Sequence, residues 1–146
     1  MSFLGLYRHA VDSKGRIAIP AAFRRDLAGA VIAPGPDGRL VIHPPASWAE
    51  YVARFQMTPA STPDQRLFSR HLFANAREVE LDAQGRLLLT AEHRQFAGIT
   101  DRAVVVGASN VVEIGNESAW DGEEEALTAA RYSELADRVG GAAPAQ

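Results

Sequence analysis

The 146-residue chain contains no cysteine. Disulfides and thiolate metal sites are therefore excluded, and the composition fits an intracellular, cytoplasmic protein. No apolar run approaches the length of a membrane span, and the opening MSFLGLYRHAVDSKGR is too polar for a signal peptide. Catalytic patterns are missing as well. His9, His43, His71 and His93 have no metal-ligand spacing, and there is no glycine-rich phosphate loop. The serines lack a G-x-S-x-G context, and no nucleophile, base or oxyanion donor accompanies Asp12 and Asp82. The expectation is a protein that is not an enzyme, with no cofactor, no metal and no membrane contact.

What the chain does contain is an internal repeat. VDSKGRIAIP, Val11 to Pro20, returns as LDAQGRLLLT, Leu81 to Thr90, with Asp, Gly and Arg in the same register. Each copy has an apolar residue before the Asp and three apolar residues after the Arg. Each then enters a short segment closing on Ala-Gly, AAFRRDLAG or AEHRQFAG, and a β-rich patch ending at Trp48 or Trp120. A half of about seventy residues is near the limit at which a lone core holds together. The halves are therefore expected to form one body.

Strands are expected at 6–11 and 16–19 around the turn DSKG. Asp suits the start of such a turn because its carboxylate accepts nearby backbone N–H groups, and Gly suits its end because it tolerates positive φ. Pro20 fits the first helical position, Phe23 and Leu27 lie one turn apart, and Gly29 is a stop. Thr90 replaces the proline in the second copy and serves as N-cap. Strands at 31–33 and 39–43 enclose PGPDG, with counterparts at 103–107 and 111–114. Ser47 to Glu50 has capping-box spacing and opens a helix with Trp48, Tyr51, Val52 and Phe55 on one stripe. Thr62 to Gln65 opens another, with Leu67, Phe68, His71 and Leu72 inward. A last helix is expected over 118–138, and GGAAPAQ reads as a frayed end. The fold class is α+β, duplicated.

The net charge of −3 looks unfavourable for a nucleic-acid binder, yet the charges are segregated along the chain. Residues 1–25 carry Arg8, Lys14, Arg16, Arg24 and Arg25 against Asp12 alone. Residues 117–138 carry seven acids against Arg131 and Arg138. Arg16 and Arg86 each follow a glycine that cannot obstruct an approaching ligand, so both are candidates to grip a phosphate or a guanine edge. The other reading is that each Arg pairs with its own Asp, four residues back, and locks the turn. The two readings are compatible, because an Asp can hold an Arg while leaving part of its fork free. Lys14 adds charge to the first turn, where the second has Gln84.

FLGLYRHAVDSKGRIAIPAAFR at 3–24, RLFSRHLFANAREVELDAQGR at 66–86 and GASNVVEI at 107–114 closely resemble the MraZ family of bacterial transcriptional regulators. The resemblance runs from residue 3 to about 135 and includes the duplication. It implies two SpoVT-AbrB-type modules, 6–47 and 77–119, forming a swapped-hairpin β-barrel with flanking helices. It also implies ring-shaped homo-oligomers, nucleoid association, and binding of double-stranded DNA at repeated boxes before the division and cell-wall gene cluster. A ring meeting DNA in one rotational sense calls for direct repeats. Carried over by position, the DNA-binding residues are Arg16, Lys14, Arg86 and Arg8, on turns formed by Asp12, Gly15, Asp82 and Gly85. Thr90 stands where the family often has proline, and Gly115 where an aromatic is common. The alternative is an AbrB-like antitoxin or scaffold whose acidic C-terminal helix binds a protein.

Overall fold

The computed structural model describes residues 2–140, so the expected frayed end, apart from Gly140, lies outside the described residues. The first half forms β1 (Phe3–Ala10), β2 (Arg16–Ala18), α1 (Ala21–Arg24), β3 (Val31–Pro34), β4 (Leu40–His43) and α2 (Pro45–Val52). After α3 (Pro63–Ala74), the second half repeats the order with β5 (Arg77–Glu78), β6 (Arg86–Leu88), α4 (Ala91–Ala97), β7 (Arg102–Ser109) and β8 (Val111–Asn116). Helices α5 (Glu117–Ala126) and α6 (Ala129–Arg138) follow.

The halves are interleaved strand by strand. One sheet runs β1-β7-β8-β4-β3-β5, and a two-stranded ribbon joins β2 to β6. Exchanging each strand for its counterpart and reversing the order returns the same sheet, so a pseudo-twofold axis passes between β8 and β4. β1 crosses to β7 over eight antiparallel residue pairs, from Phe3 opposite Ser109 to Ala10 opposite Arg102. β5 makes the reciprocal crossing to β3. Among the described residues the strands do not close into the expected barrel. β1 and β5 are free edges of the larger sheet, and β5 is only two residues long because α3 takes up the positions that match the start of β1.

The exchange gives both halves one core. Ile17, Ile19, Leu27, Leu40, Ile42, Leu89, Val112 and Ile114 come from both halves and are among its fully buried side chains. Burying a side chain of this size contributes about 1.5–3 kcal/mol, so neither half keeps its share of the core without the other.

The helices depart from expectation in three places. α2 starts at Pro45, which places Ser47 inside the helix, where its Oγ donates to the Asn110 carbonyl at 2.9 Å instead of capping. The Trp48–Tyr51–Phe55 stripe does form, stacked on buried His43. α3 opens at Thr62–Gln65 as expected, there closed by a capping box, but it buries Ser69 and Leu72, and Leu67, Phe68 and His71 stay exposed. The hydroxyl of Ser69 donates to the Phe55 carbonyl at 2.7 Å and sets that rotation. The expected single C-terminal helix breaks at Leu127, and Thr128 caps α6 by accepting from the Arg131 N–H.

Candidate nucleic-acid interface

Both D-x-x-G-R turns close through the same bonds. In the first, Asp12 Oδ1 accepts from the backbone N–H groups of Lys14 (3.0 Å) and Arg16 (2.9 Å), and Oδ2 accepts from Arg16 Nε (2.7 Å). In the second, Asp82 Oδ1 accepts from Gln84 and Arg86, both at 2.9 Å, and Oδ2 from Arg86 Nε at 2.8 Å. Gly15 and Gly85 sit at φ +85° and +76° and donate back to the Asp carbonyls at 2.9 Å. Backbone N–H groups of the turn, Arg16 and Arg86 foremost, hold both carboxyls below the usual carboxylate range. Each Arg is thus locked by its own Asp through Nε. Arg16's terminal nitrogens have no partner among the described residues, and those of Arg86 approach only Asp12, at 3.9 Å.

The β2–β6 ribbon sets the two turns side by side, with Ile17 opposite Leu87. One bond binds each turn to the opposite half: the Ile19 N–H donates to the Gly85 carbonyl at 3.0 Å and the Leu89 N–H to the Gly15 carbonyl at 2.9 Å. This geometry adds two residues that reading each turn separately misses. The Arg24 guanidinium lies where a side chain on Gly85 would project, and Arg94 lies 3.0 Å from the corresponding point on Gly15. Each glycine is therefore required for positive φ and also as the floor beneath an arginine of the other half. Arg24 Nε donates to the Ile19 carbonyl at 2.8 Å, while Arg94 Nε is buried without a partner among the described residues. Their signal in the sequence is the 70-residue period that relates the two turns. With exposed Lys14 in the first turn, the paired turns gather five cations, Lys14, Arg16, Arg24, Arg86 and Arg94, against Asp12 and Asp82.

Arg8 is not free to join them. Its guanidinium contacts Asp121 at 2.7 Å, Glu117 at 3.4 Å and Glu124 at 3.7 Å on α5. The hydrogen bond that Arg8 donates to Asp121 leads the causes that raise its pKa. Charges separated along the sequence thus meet in space, and the acids of α5 occupy the cation that β1 offers. Gly115 has a related explanation. The stem of Arg39 fills the space beside it, 3.3 Å from where a side chain would begin, and the Arg39 head lies over Trp120 and pairs with Glu123.

Among the described residues, no group of histidines and carboxylates is arranged to hold a metal, and no helix is long and apolar enough to cross a membrane. The family described as "MraZ protein, putative antitoxin-like" matches residues 2–71 and again 72–140. Relatives named "Transcriptional regulator MraZ" include one from Thermomicrobium roseum, 43% identical over 94% of this chain and 96% of the relative. Another, from Herpetosiphon aurantiacus, is 44% identical over 81% of this chain and 83% of its own length. A third, from Corynebacterium glutamicum, is 38% identical over 95% and 98%. With both repeats matched across nearly its full length, the chain belongs to the MraZ family.

Proposed function

We propose that the chain is a sequence-specific, DNA-binding transcriptional regulator whose reading surface is the face formed by the paired turns. The observation that carries this reading is the side-by-side placement of the two D-x-x-G-R turns, each arginine pinned to its Asp at Nε and making no hydrogen bond to that Asp through its terminal nitrogens. A pre-oriented guanidinium suits bidentate grip of a phosphate or guanine. Arg16 is the leading contact, Lys14 a phosphate contact, and Arg86 a weaker contact because Asp12 shares its charge. Asp12, Gly15, Asp82 and Gly85 build the turns and are not themselves contacts. The names of the relatives support regulation of transcription. The crossings of β1 to β7 and β5 to β3 support a reading as two strand-exchanging SpoVT-AbrB-type modules, for which the proposed bounds are 6–47 and 77–119.

The targets proposed are direct-repeat boxes upstream of the division and cell-wall gene cluster, bound by a ring of identical subunits at the nucleoid in the cytoplasm. No catalytic role is assigned. The protein-binding alternative is less well supported, since Glu117, Asp121, Glu123 and Glu124 of α5 already pair within the chain. A gel-shift comparing a repeat-bearing promoter with random duplex tests the proposal. Preferential retardation of the promoter is the expected result, and equal affinity for both overturns sequence-specific reading.

A further inference from the structure

A twofold face meets a DNA duplex, which has local twofold axes of its own, equally well in two orientations. The paired turns come close to that case. Their strands are related by the pseudo-twofold axis, both glycines lie at positive φ, and both arginines are pinned at Nε by the same kind of bond. What distinguishes the two ends of the face is the side chains at matching positions. Within the turns two such pairs differ, Ser13 with Ala83 and Lys14 with Gln84.

The second pair carries the larger chemical difference. Lys14 and Gln84 hold equivalent places: each is exposed, and each backbone N–H donates to Oδ1 of its own turn's Asp, at 3.0 Å and 2.9 Å. The turn thus fixes where each side chain starts. An ammonium is a point charge with donors and no acceptor, so a phosphate satisfies it whatever the sequence. An uncharged amide gains little from phosphate but presents a donor and an acceptor in one plane. That pair matches N7 and N6 of adenine in the major groove. Among the described residues the Gln84 amide makes no hydrogen bond; only its backbone N–H does. Charge at the second turn is also lower. Arg86 meets its own Asp82 at 2.8 Å and Asp12 at 3.9 Å, whereas Arg16 meets Asp12 alone among the described residues.

We propose that Gln84 reads an adenine edge in the major groove, so that the second turn supplies base selectivity while Lys14 of the first supplies phosphate affinity. This rests on the DNA-binding reading of the paired turns and assigns the residue that orients the face on the duplex. The test titrates full-length protein by fluorescence anisotropy against four probes. They are the promoter duplex, the same duplex with single A·T pairs changed to G·C, the same duplex with single adenines replaced by 7-deazaadenine, and random duplex. Changing one A·T pair should weaken native binding roughly 5- to 150-fold, the span of one bidentate base contact. 7-Deazaadenine at that position keeps the pair and removes N7, and should also weaken it. Gln84→Ala should lose affinity for the promoter duplex by a similar factor, ignore both changes, and lose far less on random duplex. Gln84→Lys should ignore them too, yet bind random duplex more tightly, with log K falling more steeply against log salt by about 0.9. Circular dichroism melts of both variants should match the native protein, because the amide bonds to nothing in the fold. A Gln84→Ala protein that stays sensitive to that adenine, or loses equally on promoter and random duplex, overturns base reading by Gln84. The 7-deazaadenine series uses native protein, so it decides even where a variant melts early: promoter binding with no sensitive adenine overturns the assignment. A native protein that binds promoter and random duplex alike overturns sequence-specific reading itself.

Discussion

Arg16 is held at one nitrogen and open at two, and a contact residue needs that division. Arg16→Ala should weaken specific DNA binding by about 1–3 kcal/mol, with melting and oligomer mass preserved. Unchanged affinity in a folded variant would show that the contact lies elsewhere. Lys14→Ala should weaken binding evenly across sequences and flatten its dependence on salt. Gly85→Val should lower stability by about 1–3 kcal/mol through backbone strain at positive φ. It should also displace Arg24, so that the melting temperature and DNA affinity fall together. Asp12 and Asp82 bind protons more weakly in the folded chain than in the unfolded one. The stability they lend is complete above their ordinary value of 3.8 and is lost as pH falls through their lowered values. Carboxyl titration by NMR should place both midpoints below 3.8.

β1 stays on β7 because Gly107 has no side chain. A Cβ there would overlap the backbone of Phe3 and Leu4. Gly107→Ala should therefore cost about 3 kcal/mol and expose the β1 amides to hydrogen exchange; β1 amides that stay protected would refute the close approach. Thr90→Ala removes the acceptor for the His93 N–H at the start of α4 and should cost about 1 kcal/mol in thermal or denaturant unfolding. Where α2 packs on β4, burial pushes His43 down to about 4 from 6.5. Between those values the unfolded chain binds the proton and the folded chain does not, so stability should fall as pH drops from about 6.5 toward 4. His43→Phe should flatten that part of the pH profile in thermal melts, because phenylalanine preserves an aromatic stack on Tyr51 and does not titrate.

Binding to DNA as proposed must overcome a net charge of −3 per chain. One basic face neutralises few phosphates, so a single subunit should bind a single site weakly. The proposed closed ring would repeat the face in one rotational sense and should then read direct repeats about one helical turn apart, roughly 10 bp. Several boxes held together raise affinity through effective concentration, so removing one box should cost more than its share. Footprinting should show evenly spaced protection over direct repeats. Protection of one inverted repeat would instead indicate a simple dimer.

The repeated D-x-x-G-R turn was legible in the sequence because its bonds are local: an Asp, a Gly and an Arg within five residues close it without help from distant parts. The hairpins around PGPDG and ASN and the Thr62 and Thr90 caps were legible for the same reason. The aromatic stripe of α2 followed from helical spacing alone. Contacts between segments far apart in the chain were not legible. Periodicity shows that a helix has an apolar side but not which neighbour covers it, so Leu67 and Phe68 were expected inside and lie in an open groove. Arg8 counted as a free cation because nothing near it in sequence opposes it, until α5 folded against β1. The duplication was visible at 70 residues' separation, but the passing of β1 and β5 into the opposite halves was not. That exchange is a choice of partner among similar strands, made by the shared core of both halves, and it sets the two turns, Arg24 and Arg94 on one face.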